Sequence, residues 1–416
     1  MLFNNMLLVS GSSVIEVEAP TGINQFGQAA VLSADDNYMA VYGNYYNAST
    51  GKSDGAISIY TMNGPRPTLQ QTILPVASAL GGANTVNFGG TTLHGYCFAL
   101  DGTGTRAVIA APHQSPSNVS LAGAMYVYSR SGSTWSQEAE LLPASNVGSQ
   151  RFGAAVAISS AGDVAVGVNG IGDASINKPG GGTVFTRSGT TWTRRATLAP
   201  SVNNANDAGS SAVAISPDGG TIAISYDNDT GPNNEFQAGT VNVWKGSGSS
   251  WTLSQSFSGT ANFLSLGLGV RFADDNTLIV GAHELDVNSV SSAGGVYVYT
   301  RSNTSSNFGT SPSLLSATTQ IQNEGVGVRL GAASGGEYVV SGVENNTANG
   351  LHVWRKQSGT WSYSREITAP ASWAADGIAT TVFGTDSEPA ISSDGSFVAY
   401  GHRLLASQDG RLYIFT

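Results

Sequence analysis

The feature that most constrains this chain is an internal repeat. Seven stretches share one design: an apolar run, a short turn of Asp, Gly, Ser or Asn, and a second apolar run. They are FGQAAVLSADDNYMAVYG from Phe26, HGYCFALDGTGTRAVIAAP from His94, FGAAVAISSAGDVAVGV from Phe152, GSSAVAISPDGGTIAIS from Gly209, LGVRFADDNTLIVGAH from Leu268, VGVRLGAASGGEYVVSG from Val326 and SEPAISSDGSFVAYG from Ser387. Each reads as a β-hairpin. A third apolar element follows every hairpin after a variable gap, and it ends on an aromatic residue: Tyr60, Tyr128, Phe185, Trp244, Tyr299, Trp354 and Phe415. Successive spacings are 68, 57, 59, 55, 55 and 61 residues, so insertions are confined to the gaps.

A further turn and strand follow, clearest in SRSGSTWSQEAELLPA, TRSGTTWTRRATLAPS and RKQSGTWSYSREITAPA. Four antiparallel strands per repeat, arranged radially, predict an all-β chain folded as a seven-bladed β-propeller. The chain stops after the third strand of its seventh repeat, GRLYIFT. Near the other end, SVIEVEAPTG has the alternation and the terminal Ala-Pro of the outer strands. The N-terminal strand, residues 13–19, is therefore expected to complete the last blade and close the ring, so that no sheet edge stays open. Residues 1–12 are a short lead, and 13–416 form one propeller.

Composition agrees and excludes other classes. Glycine supplies 53 of 416 residues and charged residues only 11%, less than half the roughly 25% of ordinary domains. No amphipathic helix of three turns is found. With 28 acidic against 18 basic residues, a net charge of −10 and no run of Lys or Arg beyond two, a nucleic-acid surface is not expected. No apolar stretch is long enough for membrane insertion, and no signal peptide is recognised in MLFNNMLLVSGSSV. The single cysteine, Cys97, cannot form an intramolecular disulfide and lies in an apolar alternation, as a buried inert thiol would.

The order Phe-Gly, Val-Ala-Ile, turn, Val-Ala-Val-Gly, gap, Gly-x-Val-Tyr-Val-Tyr, then Arg-Ser-Gly-x-x-Trp resembles the FG-GAP repeat of integrin α-subunit head propellers and many bacterial surface proteins. The resemblance runs from Phe26 to Thr416, with Phe-Gly literal at Phe26, Phe152 and Phe383. Turns such as ISPDGGTIAIS also look like those of TolB-type propellers. The FG-GAP resemblance implies seven blades and adhesion or ligand binding rather than catalysis. Family members often bind calcium through Asp-x-Asp-x-Asp-Gly in the first hairpin. That loop is absent here, since each first hairpin carries at most two carboxylates in a turn too tight to surround an ion. No cofactor is expected. Asp227 and Asp229 in YDNDTG are two spaced carboxylates and stand as metal candidates, while the hairpin Asp residues read as turn formers.

Catalytic motifs fail in context. Gly102, Gly104 and Ala107 imitate a dinucleotide fingerprint but lead into a strand, and TGKS at Thr50 lacks the first glycine of a P-loop. The five histidines have no metal-ligand spacing, and the glycosidase-type Asp box is half met at Ser216, Asp218 and Gly220, without its aromatic. The chain is read as a non-enzyme. Trp135, Trp192, Trp251 and Trp361 recur at one blade position, which points to packing rather than sugar stacking.

Because strands alternate in direction, the loops from second to third strand share a face with the connections between blades. Those second-to-third loops are long and dissimilar, and variable loops on a rigid scaffold are where binding is placed. The residues ending the second strands, Asn44, His113, Asn169, Asp227, His283, Glu344 and His402, are expected to form a polar ring there, with Tyr45, Tyr46 and Phe236 as apolar contacts. The functional expectation is a recognition or adhesion propeller that binds a protein or glycan partner on the exterior of a cell or virus particle. The alternatives are a structural component of a virion, in contact with other virion proteins, and a glycan-acting propeller enzyme.

Overall fold

The computed structural model describes residues 14–47, 52–75, 97–143, 148–170, 180–200, 210, 212–344, 350–370, 383, 385, 387–402 and 410–416. These form seven four-stranded sheets in which sequence neighbours pair antiparallel, a seven-bladed β-propeller. In the third blade the strands are Phe152–Ile158, Val164–Asn169, Gly182–Ser188 and Thr191–Leu198, paired in that order from the ring centre outward. Alternate residues point to the two faces of each blade, and both faces are covered by a neighbour. Hence the second and third strands read as nearly continuous apolar runs, whereas the outer strand Thr191–Leu198 alternates and is largely exposed.

The seventh blade is assembled from both ends of the chain. Its sheet runs from Ala390–Ile391 through Val398–His402 and Arg411–Phe415 to Val14–Glu18, with Ile15 opposite Ile414 and Glu18 opposite Arg411. The N-terminal strand thus closes the ring; it ends at Glu18, one residue before the expected limit, and residue 13 lies outside the described residues. An ion pair between Glu16 and Arg411 reinforces the seam.

Seven hydrophobic clusters fill the spaces between adjacent blades. The aromatics that end the third strands are their anchors, and all seven are buried. Trp135 is buried too, while Trp192, Trp251 and Trp361 are half-buried against these clusters, as their regular spacing implied. Cys97 packs between two of them, and burial pushes its thiol up to about 12.

The Phe-Gly element owes its residues to blade packing. Phe26 and Phe152 are fully buried, and each pairs through its backbone with the glycine opening the third strand of the preceding blade, Gly410 and Gly123 respectively. Gly27 has φ +92, and a Cβ on it would lie 2.6 Å from the Arg411 carbonyl oxygen and 2.9 Å from the Gly401 Cα. Only glycine suits that conformation and that approach.

The first-hairpin turns close the opposite face. Side chains of Asp35, Asp163, Asp218 and Asp394 accept hydrogen bonds from the serine that begins each turn, so these carboxylates are turn formers. Backbone bonds then stitch turn to turn: Asp35 N–H to Gly102 O at 3.0 Å, Gly102 N–H to Ser160 O at 2.9 Å and Ser160 N–H to Pro217 O at 3.0 Å.

Candidate functional site

The face with the long loops carries the candidate site, and the structure divides the expected ring into unlike parts. Asn44 lies inside the second strand, Tyr38–Asn47, rather than at its end, and is half-buried, donating to Gln25 Oε1 at 2.6 Å and accepting from the Tyr42 hydroxyl at 3.2 Å. Asn169 accepts from Gln150 Nε2 at 2.9 Å. In both blades a glutamine just before the Phe-Gly element satisfies the asparagine of the second strand. These two positions therefore do structural work. Tyr45 is half-buried against the cluster between the seventh and first blades, and the side chain of Tyr46 lies outside the described residues.

His113 is half-buried beside Arg151, and burial together with that positive charge holds its imidazole below the usual value. His402 is almost wholly buried, too deep to meet a ligand at the mouth. Asp227 is half-buried and Asp229 buried, and among the described residues neither joins a third potential metal ligand. His283 and Glu344, from the fifth and sixth blades, are brought into contact, with His283 Nε2 3.5 Å from a Glu344 carboxylate oxygen.

Phe236 is 57% exposed, as expected of an apolar contact, but it does not act alone. Phe263, on the connection from the fourth to the fifth blade, is 55% exposed, and the two rings meet edge to face with centroids 5.4 Å apart. Their backbones are tied: Phe263 N–H donates to Phe236 O at 2.7 Å, and Phe236 N–H donates to the Asn262 side chain at 2.7 Å. Phe263 adopts φ +59, a conformation costly for an aromatic residue unless its surroundings enforce it. Both phenylalanines are thus held outward by the fold. Phe263 carries no signal in the sequence, because it lies in the between-blade connection and not in a second-to-third strand loop.

The ring centre holds a cavity of about 240 Å³ lined by the inner strands of all seven blades, mostly Ala, Val, Leu, Ile and Phe. On one side stands a charged cluster that sequence reasoning missed. Glu388 is buried, accepts from the Leu330 backbone N–H at 3.1 Å, and lies 3.5 Å from Arg329 and 3.7 Å from Arg271. Burial pushes its carboxyl above the usual range, while Arg329 and Arg271 pull it back. The signal was in the repeat: four residues before the turn, where other blades have Ala29, Ala155 and Ala212, stand Arg329 and Glu388.

In the sixth blade Glu324, His352 and Tyr363 form a second buried polar chain, with bonds of 2.9 and 3.0 Å to the imidazole. Burial is the largest of the effects that push the Tyr363 hydroxyl up to about 12, so it is no nucleophile at neutral pH.

No family model matches the chain, and no curated protein matches it in sequence. Solved structures do. The WD40 repeats of RRP9 superpose with a TM-score of 0.54 at 12% identity, over 97% of this chain and 96% of that one. The β-propeller domain of Swd1 from Myceliophteria thermophila gives 0.54 at 10% identity, over 97% and 99%. A Bacteroides uniformis protein described as a candidate 6-phosphogluconolactonase reaches 0.49 at 12% identity, over 82% and 85%. At such identities the likeness shows the propeller fold alone.

Proposed function

We propose that this chain is a non-catalytic recognition propeller of the FG-GAP kind that binds a protein partner through the face bearing the second-to-third strand loops. The observation that carries the reading is the Phe236–Phe263 pair: two large apolar side chains more than half exposed, yet fixed in place. Exposed aromatics that lose no further freedom on docking are the usual anchors of protein interfaces. Their edge-to-face geometry presents a wedge suited to an apolar pocket, not the flat platform on which a sugar ring stacks. The short, mutually bonded turns on the other face support the same assignment, since they leave little backbone to adapt to a ligand.

The test is affinity capture from the native source with the wild-type chain and the F236S/F263S double variant. The partner's affinity is expected to fall about thirtyfold or more, the loss of one interface hot spot, with thermal melting unchanged. Glycan-array binding that survives both substitutions would replace the protein reading with a glycan one. Fixed stoichiometry in purified virus particles would favour the virion role, and release of reducing sugar would favour an enzyme.

A further inference from the structure

We infer that His283, Glu284 and Glu344 form a binding site for a divalent transition-metal ion, of which Zn²⁺ is the best fit. The three side chains come from the end of the second strand of the fifth blade and the corresponding end in the sixth. Their ligand atoms lie within 4.8 Å of one another. His283 Nε2 is 3.5 Å from a Glu344 oxygen and 3.8 Å from a Glu284 oxygen. Those separations are longer than the 2.7–3.2 Å of a good N–H···O bond. They are close to the roughly 3.4 Å edge of a tetrahedron drawn by bonds of about 2.0–2.1 Å to zinc.

A second observation concerns the imidazole itself. The His283 side chain is only 8% exposed, and its Nδ1 has no hydrogen-bond partner among the described residues. The nitrogen that faces the site is Nε2, which makes no good hydrogen bond to either carboxylate, so a metal bound there would give this buried ring the partner that its inward edge lacks, with the proton left on Nδ1. The two carboxylates are accessible, with side chains 34% and 50% exposed, so an ion can reach the site from solvent. The Glu344 backbone is held by its N–H bond to Glu324 O at 3.0 Å. Even with a protonated imidazole the three side chains would carry a net negative charge, which favours a cation. One nitrogen and two carboxylate oxygens suit a borderline first-row metal better than calcium, which takes six or more oxygens. With three protein ligands, a coordination position stays open for water or for a side chain of an incoming partner.

The inference stands apart from the protein-partner reading, because it concerns the metal alone. The test is calorimetric titration of the full, chelator-treated chain with Zn²⁺, backed by the visible absorption of Co²⁺ at the same site. One ion per chain is expected, with E344Q and E284Q each weakening binding at least about tenfold and H113N leaving it unchanged. The glutamates are at the surface, so these variants keep the test sound should H283N fail to fold. Absence of saturable Zn²⁺ or Co²⁺ binding would overturn the assignment, as would binding that E344Q and E284Q leave intact.

Discussion

Glu138 shows how much a single side chain carries at a blade boundary. It occupies the bulge that lets the outer strand Thr134–Leu141 skip one residue opposite Val127 and Tyr128, and from there it reaches the next blade. Its carboxylate, 7% exposed, accepts from Arg187 Nε at 2.7 Å and Trp192 Nε1 at 2.8 Å, with Arg106 at 3.6 Å. Burial opposes its ionisation, but the hydrogen bonds from Arg187 and Trp192 and the nearby arginine charges outweigh this and hold the carboxyl below its usual value. A depressed folded-state value means that the stabilisation is present above the unfolded pKa of about 4.3 and is lost as pH falls through the folded one. E138Q is therefore expected to cost about 1.5–3 kcal/mol at pH 7, with the gap from wild type closing under acid. Denaturant melts at neutral and acidic pH measure this, and a gap independent of pH would show that the charge is not the source.

At the scale of elements, the turn chemistry and strand order were legible, because both follow from local residue types. The Gly-Ser, Gly-Thr and Gly-Ser pairs at Gly132, Gly189 and Gly248 fill two-residue hairpin loops with φ between +55 and +61, as such loops require. The role of the Phe-Gly glycine was not legible, since it depends on a carbonyl contributed by another blade. The two kinds of glycine separate by mutation. Gly248→Ala meets nothing within 4 Å and should cost about 1 kcal/mol in backbone strain. Gly27→Ala adds collisions with the Arg411 carbonyl and Gly401 and should cost about 3 kcal/mol or more. Equal effects in thermal melts would refute an inter-blade role for Gly27. The polar ring was legible only as a row of strand ends, because Gln25 and Gln150, which satisfy two of its members, precede the strands they serve by a whole hairpin.

For the whole molecule, closure decides stability. A propeller has no central core, and its seven inter-blade clusters form a cycle in which each depends on its neighbours. The strand Val14–Glu18 buries Ile15 and covers the edge of Arg411–Phe415. Deleting residues 1–20 should lower the melting temperature by several degrees and promote self-association through the uncovered edge, measurable by calorimetry and light scattering. A monomeric truncated chain with unchanged melting would mean that the seam contributes little. The sequence alone determined the seven blades, the strand count and the way the ring closes, because these follow from periodicity, turn residues and the place where the repeat breaks off. Only the tertiary structure decided which residues meet. Phe236 found Phe263, Arg329 and Arg271 found Glu388, and His283 found Glu344, since each contact joins segments whose separation is set by the rotation between blades, not by any local rule.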